Sequence, residues 1–124
     1  MIPTATINAK TRKIMESAGY LVTKVERYSP HSRRLIDHYG IGDYEGIDGM
    51  RRGKILVQST SRSNYASRLT KVMGHDSSTR WLRNSDDRLY VVAWDKHNGR
   101  WRPKITEIVI RDGKLTPEDR EELT

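Results

Sequence analysis

Apolar residues recur at two spacings along the chain, and these spacings separate predicted helices from predicted strands. In segment 4–18 they recur at approximately helical intervals with charges between them, and Gly19 follows as a typical helix terminator. Segment 20–28 (YLVTKVERY) is rich in β-forming residues and predicts a strand. Pro30 ends that strand because proline has no amide hydrogen to donate to a β-ladder.

The centre of the chain predicts two further strands. Segment 41–47 alternates loosely, which predicts a short strand with Asp43 and Glu45 on one face. Segment 54–60 (KILVQST) contains three consecutive apolar residues between turn signals, a pattern typical of a strand buried on both faces. Gln58 and Thr60 are two residues apart and therefore share a face. If the two strands are neighbours, Asp43, Gln58 and Thr60 converge; the alternative is that Gln58 and Thr60 only satisfy backbone groups.

The second half of the chain predicts helices followed by a hairpin. Ser63 or Asn64 is a typical N-cap for a helix that ends at Gly74, and segment 77–82 predicts a second short helix. Segment 89–96 (LYVVAWDK) predicts a strand that turns at Asn98-Gly99 and returns through 101–110. The final segment, with Thr116 before Pro117, is typical of a helix start, so we expect a short helix or a frayed end there.

These elements predict one domain, residues 1–124, in which helices pack on a sheet. The order is helix, three strands, helix and two strands (αβββαββ), which belongs to the α/β or α+β class. The absence of cysteine excludes disulfide scaffolds and cysteine-based metal sites or nucleophiles. No apolar run reaches membrane-spanning length and the N-terminus lacks the apolar centre of a signal peptide, so we expect a cytoplasmic protein without a membrane partner.

Charge points to a polyanionic partner. Lysine and arginine total 23 against 16 aspartate and glutamate residues, a net charge of +7. A domain this basic most often binds nucleic acid. Acidic residues nevertheless cluster at Asp37, Asp43, Glu45 and Asp48. Carboxylate oxygens are natural Mg²⁺ ligands, so this cluster is either a metal site or a solvated glycine-rich loop.

The sequence motifs of this region resemble those of a known nuclease family. Three segments in order are similar to a small phage or bacterial branch of the PD-(D/E)XK superfamily. They are the D-x-x-G-x-x-D segment Asp37-His38-Tyr39-Gly40-Ile41-Gly42-Asp43, the strand ending Gln58-Ser59-Thr60-Ser61, and Ser63-Asn64. The Arg33-Arg34 pair and the tryptophan-containing hairpin match in order as well. The resemblance extends from Arg12 to Ile108 and implies a restriction-endonuclease-like core, a central mixed β-sheet flanked by helices.

The resemblance also implies roles for individual residues. Asp43 takes the place of the metal-binding aspartate, and Gln58 and Thr60 take the places of the usual glutamate and lysine, in a Q-x-T variant of the E-x-K motif. Asp37 and Gly40 support the motif. Gln58 offers an oxygen without charge and Thr60 brings no positive charge, so Glu45 is a candidate additional metal ligand. The expected nucleic-acid contacts are Arg33, Arg34, Arg62, Asn64, Arg68 and Lys71.

The function implied by the resemblance is hydrolysis of DNA phosphodiester bonds by an endonuclease that uses Mg²⁺, with Mn²⁺ as the alternative ion. Such an enzyme would act in DNA recombination, repair or processing, in the cytoplasm of a bacterium or a phage-infected host, and a homodimer would suit the cutting of two strands. The alternative from the residues is a DNA-binding or accessory protein with the same fold and a lapsed site. A basic RNA- or ribosome-binding module is the third interpretation.

Overall fold

A six-stranded mixed sheet forms the centre of the protein, with helices on both faces. The structure is a computed structural model that describes residues 3–83 and 86–123. The described helices are α1 (Thr4–Ser17), α2 (Tyr65–Met73) and α3 (Asp76–Arg83), and a 3₁₀ turn, Arg62–Asn64, precedes α2. The strands are β1 (Leu21–Lys24), β2 (Arg27–Ser29), β3 (Arg34–Ile36), β4 (Tyr44–Ile47), β5 (Lys54–Ser61), β6 (Arg88–His97), β7 (Arg100–Arg111) and β8 (Lys114–Arg120).

The strand order in the sheet is β1-β4-β5-β6-β7-β8. Strands β5 and β6 pair in parallel, and the connection between them carries α2 and α3. The other described neighbours in this sheet pair antiparallel. Strands β2 and β3 form a separate two-stranded ribbon. The prediction of an α+β domain with helices on a mixed sheet is confirmed, and none of the described helices combines the length and apolar composition that a membrane crossing requires.

Strand β5 is buried on both faces, as its apolar run predicts. Ile55 and Val57 pack in a cluster with Met15 of α1. On the opposite face, Leu56 packs with apolar side chains of α2 and α3. Both faces of a strand are covered only when helices lie on both sides of the sheet, which explains why period-two alternation is missing here.

Residues 20–28 do not form the single strand that we predicted. Strand β1 ends at Lys24, and β2 begins at Arg27 in the separate ribbon. The backbone amides of Val25 and Glu26 donate hydrogen bonds to the carbonyl of Asp43, at 2.8 and 3.3 Å. These bonds hold the chain where it leaves the sheet, and they depend on a residue 17 or more positions away that local sequence does not reveal.

The C-terminal segment is strand β8, so the prediction of a short helix or frayed end there is wrong. The turn between β7 and β8 contains Asp112-Gly113, both with positive φ, which is the same type of hairpin signal as Asn98-Gly99. Pro117 lies on an edge strand, where its missing amide hydrogen costs no pairing. Two arginine–glutamate pairs brace the hairpin, Arg111 with Glu118 at 2.9 Å and Arg120 with Glu107 at 3.0 Å.

Gly53, in the turn that starts β5, allows a stability prediction. Its φ is +80°, and a Cβ at this position would overlap the backbone carbonyl of Asp86. We expect Gly53→Ala to lower the free energy of unfolding by about 2 kcal/mol or more, because left-handed strain and a backbone clash add. Chemical denaturation measures the effect. Gly49→Ala is the matched control, since nothing lies within 4 Å of its added Cβ; equal effects of the two variants would contradict the packing argument.

Candidate metal centre

The candidate site lies where β4 and β5 separate. The two strands pair from Tyr44 opposite Val57 to Ile47 opposite Lys54, and Asp43 precedes β4. The Asp43 amide still donates to the Val57 carbonyl at 2.8 Å, and the Asp43 carbonyl accepts from the amides that end β1. The main chain of Asp43 is therefore held by two neighbouring segments, and its side chain has a fixed starting point.

The Asp43 carboxylate is buried and accepts two hydrogen bonds from β5. Its Oδ2 accepts from Gln58 Nε2 at 2.9 Å and from the amide of Ser59 at 2.8 Å. Asp43 is 4% exposed and Gln58 is 1% exposed. The Ser59 hydroxyl points to the other face, where it hydrogen-bonds Thr11 of α1 at 2.7 Å. Strand β5 thus anchors the carboxylate on one side and the first helix on the other.

Two further carboxylates reach the same point. Ligand oxygens of Glu26, Asp37 and Asp43 lie within 4.8 Å of one another. Glu26 lies in this cluster because the chain leaves the sheet after β1, and Asp37 lies there because it directly follows β3. A tight loop returns the chain from Asp37 to Asp43: the Gly40 amide donates to the Asp37 carbonyl at 3.0 Å, and Gly40 has a φ of +76°. The D-x-x-G-x-x-D spacing is the length of this loop.

The acidic groups shift each other's protonation. Burial, together with the hydrogen bond and negative charge of Asp37, raises the pKa of Asp43 to about 8. Burial also acts to raise the pKa of Asp37, but hydrogen bonds from Asp43 and Lys71 and the charges of Lys71 and Arg68 hold it below its usual range. Near neutral pH, and without a cation, the Asp37–Asp43 pair therefore shares one proton.

The donor set fits a hard divalent cation. Gln58 Oε1 is buried and, among the described residues, has no hydrogen-bond partner, because its amide nitrogen is committed to Asp43. An unpaired buried carbonyl oxygen costs free energy unless something binds it. Three carboxylates and an amide oxygen are the ligand types that Mg²⁺ and Mn²⁺ take. The residues present therefore fit such an ion.

A cleft of about 660 Å³ opens above this cluster. Its acidic floor is formed by the three carboxylates, and cationic side chains form its rim, namely Arg34, Arg68 and Lys71. The ammonium group of Lys71 forms a hydrogen-bonded ion pair with Asp37. A cationic rim around a carboxylate cluster suits an anionic ligand that also contacts a bound cation.

The structure brings some of the predicted site residues together and leaves others apart. Asp43, Gln58, Asp37 and Gly40 all line the cleft with the three rim cations. Glu45 shares the strand face of Asp43 but pairs with Lys54 at 3.2 Å, and it lies outside the described acidic cluster. Glu26 occupies the place in the cluster that we predicted for Glu45.

The remaining predicted residues do not line the cleft. Thr60 is buried beside Ala93, two residues beyond Gln58 on β5. Arg62 and Asn64 are exposed in the 3₁₀ turn, and Arg33 is exposed in the ribbon. Sequence reasoning missed Glu26, because we assigned it to a single strand over residues 20–28. The available signal was its position: it is the last acidic residue before ten residues that contain none, and Asp37 follows them.

Comparisons with family models, with curated proteins and with solved structures found no match to this chain. The chemistry of the site's own residues is therefore the basis for inferring a function.

Proposed function

We propose that this protein is a metal-dependent endonuclease that hydrolyses DNA phosphodiester bonds, with a restriction-endonuclease-like core of the PD-(D/E)XK type. One observation carries the proposal: three carboxylates within 4.8 Å of one another and an unpartnered amide oxygen lie at the floor of a cleft with a cationic rim. Metal-dependent phosphodiester hydrolysis uses this combination, because the metal ion requires anionic ligands and the substrate backbone is held by cations.

The candidate ligands are Glu26, Asp37, Asp43 and Gln58, and the ion is Mg²⁺ or Mn²⁺. Such an ion, when bound, neutralises charge on the scissile phosphate and lowers the pKa of a bound water. The Asp43 carboxylate is already oriented by hydrogen bonds from Gln58 Nε2 and the Ser59 amide, which reduces the reorganisation needed to bind the ion. The proton shared by Asp37 and Asp43 must leave when the site is filled.

The cations of the rim hold the substrate. Residue 60, where the E-x-K motif has a lysine, is a threonine in this chain. Lys71 of α2 supplies a positive charge beside Asp37 instead. A preorganised ammonium at this place stabilises negative charge that develops on the phosphate oxygens. Arg34 and Arg68 line the same cleft and are positioned to contact neighbouring phosphates.

The proposed biological setting follows from the substrate. The enzyme would act on DNA in recombination, repair or processing, in the cytoplasm of a bacterium or a phage-infected host. A single cleft cuts one strand, so cleavage of both strands of a duplex would use a homodimer.

The test measures Mn²⁺ binding and cleavage in a matched pair of variants. We expect Glu26→Gln to weaken Mn²⁺ binding by about tenfold or more, because it removes one of the clustered anionic ligands. Glu45→Gln, which lies on the same sheet but outside the cluster, should bind Mn²⁺ like the wild type. Calorimetry gives the affinities, and supercoiled, single-stranded and branched DNA with Mg²⁺ or Mn²⁺ gives the activity. The proposed activity fails if the wild-type protein cleaves none of these substrates, and the proposed metal site fails if Mn²⁺ does not bind at this cluster.

A second candidate is a DNA-binding protein with the same fold and a lapsed site. The ion pair between Lys71 and Asp37 favours it, because a cation already neutralises one of the acidic groups. This candidate predicts salt-sensitive DNA binding without metal-dependent cleavage. The assays above separate the two, since only the endonuclease loses an activity when Glu26 is changed.

A further inference from the structure

The two-stranded ribbon formed by β2 and β3 is separate from the six-stranded sheet, and the chain enters and leaves it at two carboxylates of the candidate metal centre. We infer that this ribbon, residues 27–36, is an arm that enters the major groove of duplex DNA and holds the duplex against the cleft. The inference names the partner of the proposed endonuclease and rests on that function only in taking the substrate to be DNA.

The charge of the ribbon is the first argument. Residues 27–36 contain three arginines and one histidine, and they contain no acidic residue. Arg27, Arg33 and Arg34 are exposed, as is Tyr28 at 58%. Elsewhere on the protein, exposed arginines are often paired with carboxylates, as Arg80 is with Asp76 at 2.7 Å. An exposed segment whose charged side chains are all cationic is complementary to a phosphate backbone.

The shape of the ribbon is the second argument. The ribbon pairs Arg27 with Ile36 and Ser29 with Arg34 and does not join the main sheet. An isolated two-stranded hairpin is only marginally stable, so the ribbon contributes little to the stability of the fold. The major groove of B-DNA, about 12 Å wide, admits a two-stranded ribbon, whereas the deep, narrow major groove of double-stranded RNA does not. The shape therefore favours duplex DNA over duplex RNA.

The attachment of the ribbon to the site is the third argument. Glu26 directly precedes the ribbon and Asp37 directly follows it, and both belong to the acidic cluster. Arg34 on the second strand lines the cleft itself. A duplex held by the ribbon therefore lies next to the candidate ligands, because both ends of the ribbon adjoin them in the chain. Binding and chemistry are connected through the same short segment of chain.

The experiment measures DNA binding in EDTA, so that neither a metal ion nor hydrolysis contributes. The ribbon variant is Arg27→Gln with Arg33→Asn; asparagine tolerates the positive φ of 56° at position 33. The matched control, Arg51→Gln with Arg52→Gln, removes the same charge from exposed residues in the turn between β4 and β5. Fluorescence anisotropy with a short duplex DNA, single-stranded DNA and duplex RNA gives the dissociation constants over a range of salt.

We expect the ribbon variant to bind duplex DNA about tenfold more weakly and to lower the slope of log affinity against log salt by about two, one for each lost phosphate contact. The control should stay within about twofold of the wild type. A third variant, with lysine at both ribbon positions, should retain most of the affinity because it keeps the charges. Mn²⁺ binding by the ribbon variant should match the wild type, which shows that the metal site and the fold are intact.

Three outcomes would overturn the inference: equal losses in the ribbon and control variants, a wild-type preference for single-stranded DNA, or a preference for duplex RNA. Ribbon-dependent duplex binding without any cleavage in Mg²⁺ or Mn²⁺ would support the ribbon and remove the proposed activity. Cleavage that survives the ribbon variant, with unchanged duplex affinity, would do the reverse.

Discussion

Asp43→Asn is expected to reduce the metal-dependent DNA cleavage that we propose by about a thousandfold or more, since metal-ion charge stabilisation is worth several kcal/mol. Asparagine has nearly the same shape, and its one carbonyl oxygen still accepts hydrogen bonds from Gln58 and from the Ser59 amide. The backbone contacts of residue 43 with Val25, Glu26 and Val57 do not involve the side chain. The fold should therefore remain while the candidate anionic ligand at residue 43 is lost. Initial rates on supercoiled DNA, over a range of Mn²⁺ concentrations, measure the effect.

Asp48→Asn is the matched control for this variant. Asp48 lies in the turn after β4, where its Oδ1 accepts a hydrogen bond from the Met50 amide at 2.8 Å, and an asparagine oxygen can accept the same bond. It should cleave at the wild-type rate. If Asp43→Asn and Asp48→Asn retain the same activity, Asp43 is not the metal anchor, and catalysis takes place at another site.

The second large effect concerns pH and the stability of the metal-free protein. The pKa of Asp43 is raised to about 8 in the folded protein, mainly by burial, whereas in the unfolded chain it is close to its ordinary value. Between these two values the folded state binds a proton that the unfolded state does not. We therefore expect the free energy of unfolding to fall as the pH rises from about 5 to about 8, with a slope of up to about 1.4 kcal/mol per pH unit.

Asp37 acts in the opposite sense and in a different pH range. Its lowered pKa contributes stability above the ordinary carboxyl range, and this contribution is lost only as the pH falls through the folded-state pKa. The two effects therefore separate on a pH scale. Thermal or urea denaturation in EDTA across this range measures the slope, and Asp43→Asn should flatten it.

Added Mn²⁺ provides an independent check on the same coupling. Ion binding displaces the shared proton, so the stabilisation by Mn²⁺ should increase as the pH rises.

A wild-type protein whose metal-free stability is flat or rising between about pH 5 and 8 would show that the buried carboxyl pair does not retain its proton.

The core of the site was predictable because it depends on strand register. Successive side chains of any β-strand point to opposite faces, which places Gln58 on a defined face of β5, and the short predicted strand 41–47 places Asp43 next to it. Glu26 was not predictable in the same way. Its position depends on hydrogen bonds from Val25 and Glu26 to the carbonyl of Asp43, which exist only after the sheet has formed. Local β-propensity in segment 20–28 continues through that point and predicts one strand.

The C-terminal segment shows the same competition between local and tertiary preference. Thr116-Pro117 is typical of a helix start, but β7 offers a long strand with a free edge, and the Asp112-Gly113 turn directs the chain back along it. Pairing over seven residues, from Ile105 opposite Arg120 to Arg111 opposite Lys114, outweighs the local preference. In contrast, the Asn98-Gly99 hairpin was predicted correctly because its turn residues and both flanking strands agree.

The outer edge of β8 has a consequence for self-association. Pro117 has no amide hydrogen, and the long arginine and glutamate side chains along this strand are solvated charges, so another chain cannot extend the sheet there without losing both pairing and hydration. This edge therefore resists sheet-to-sheet aggregation. Two copies that cut opposite strands of one helix of DNA would have to meet on a different surface.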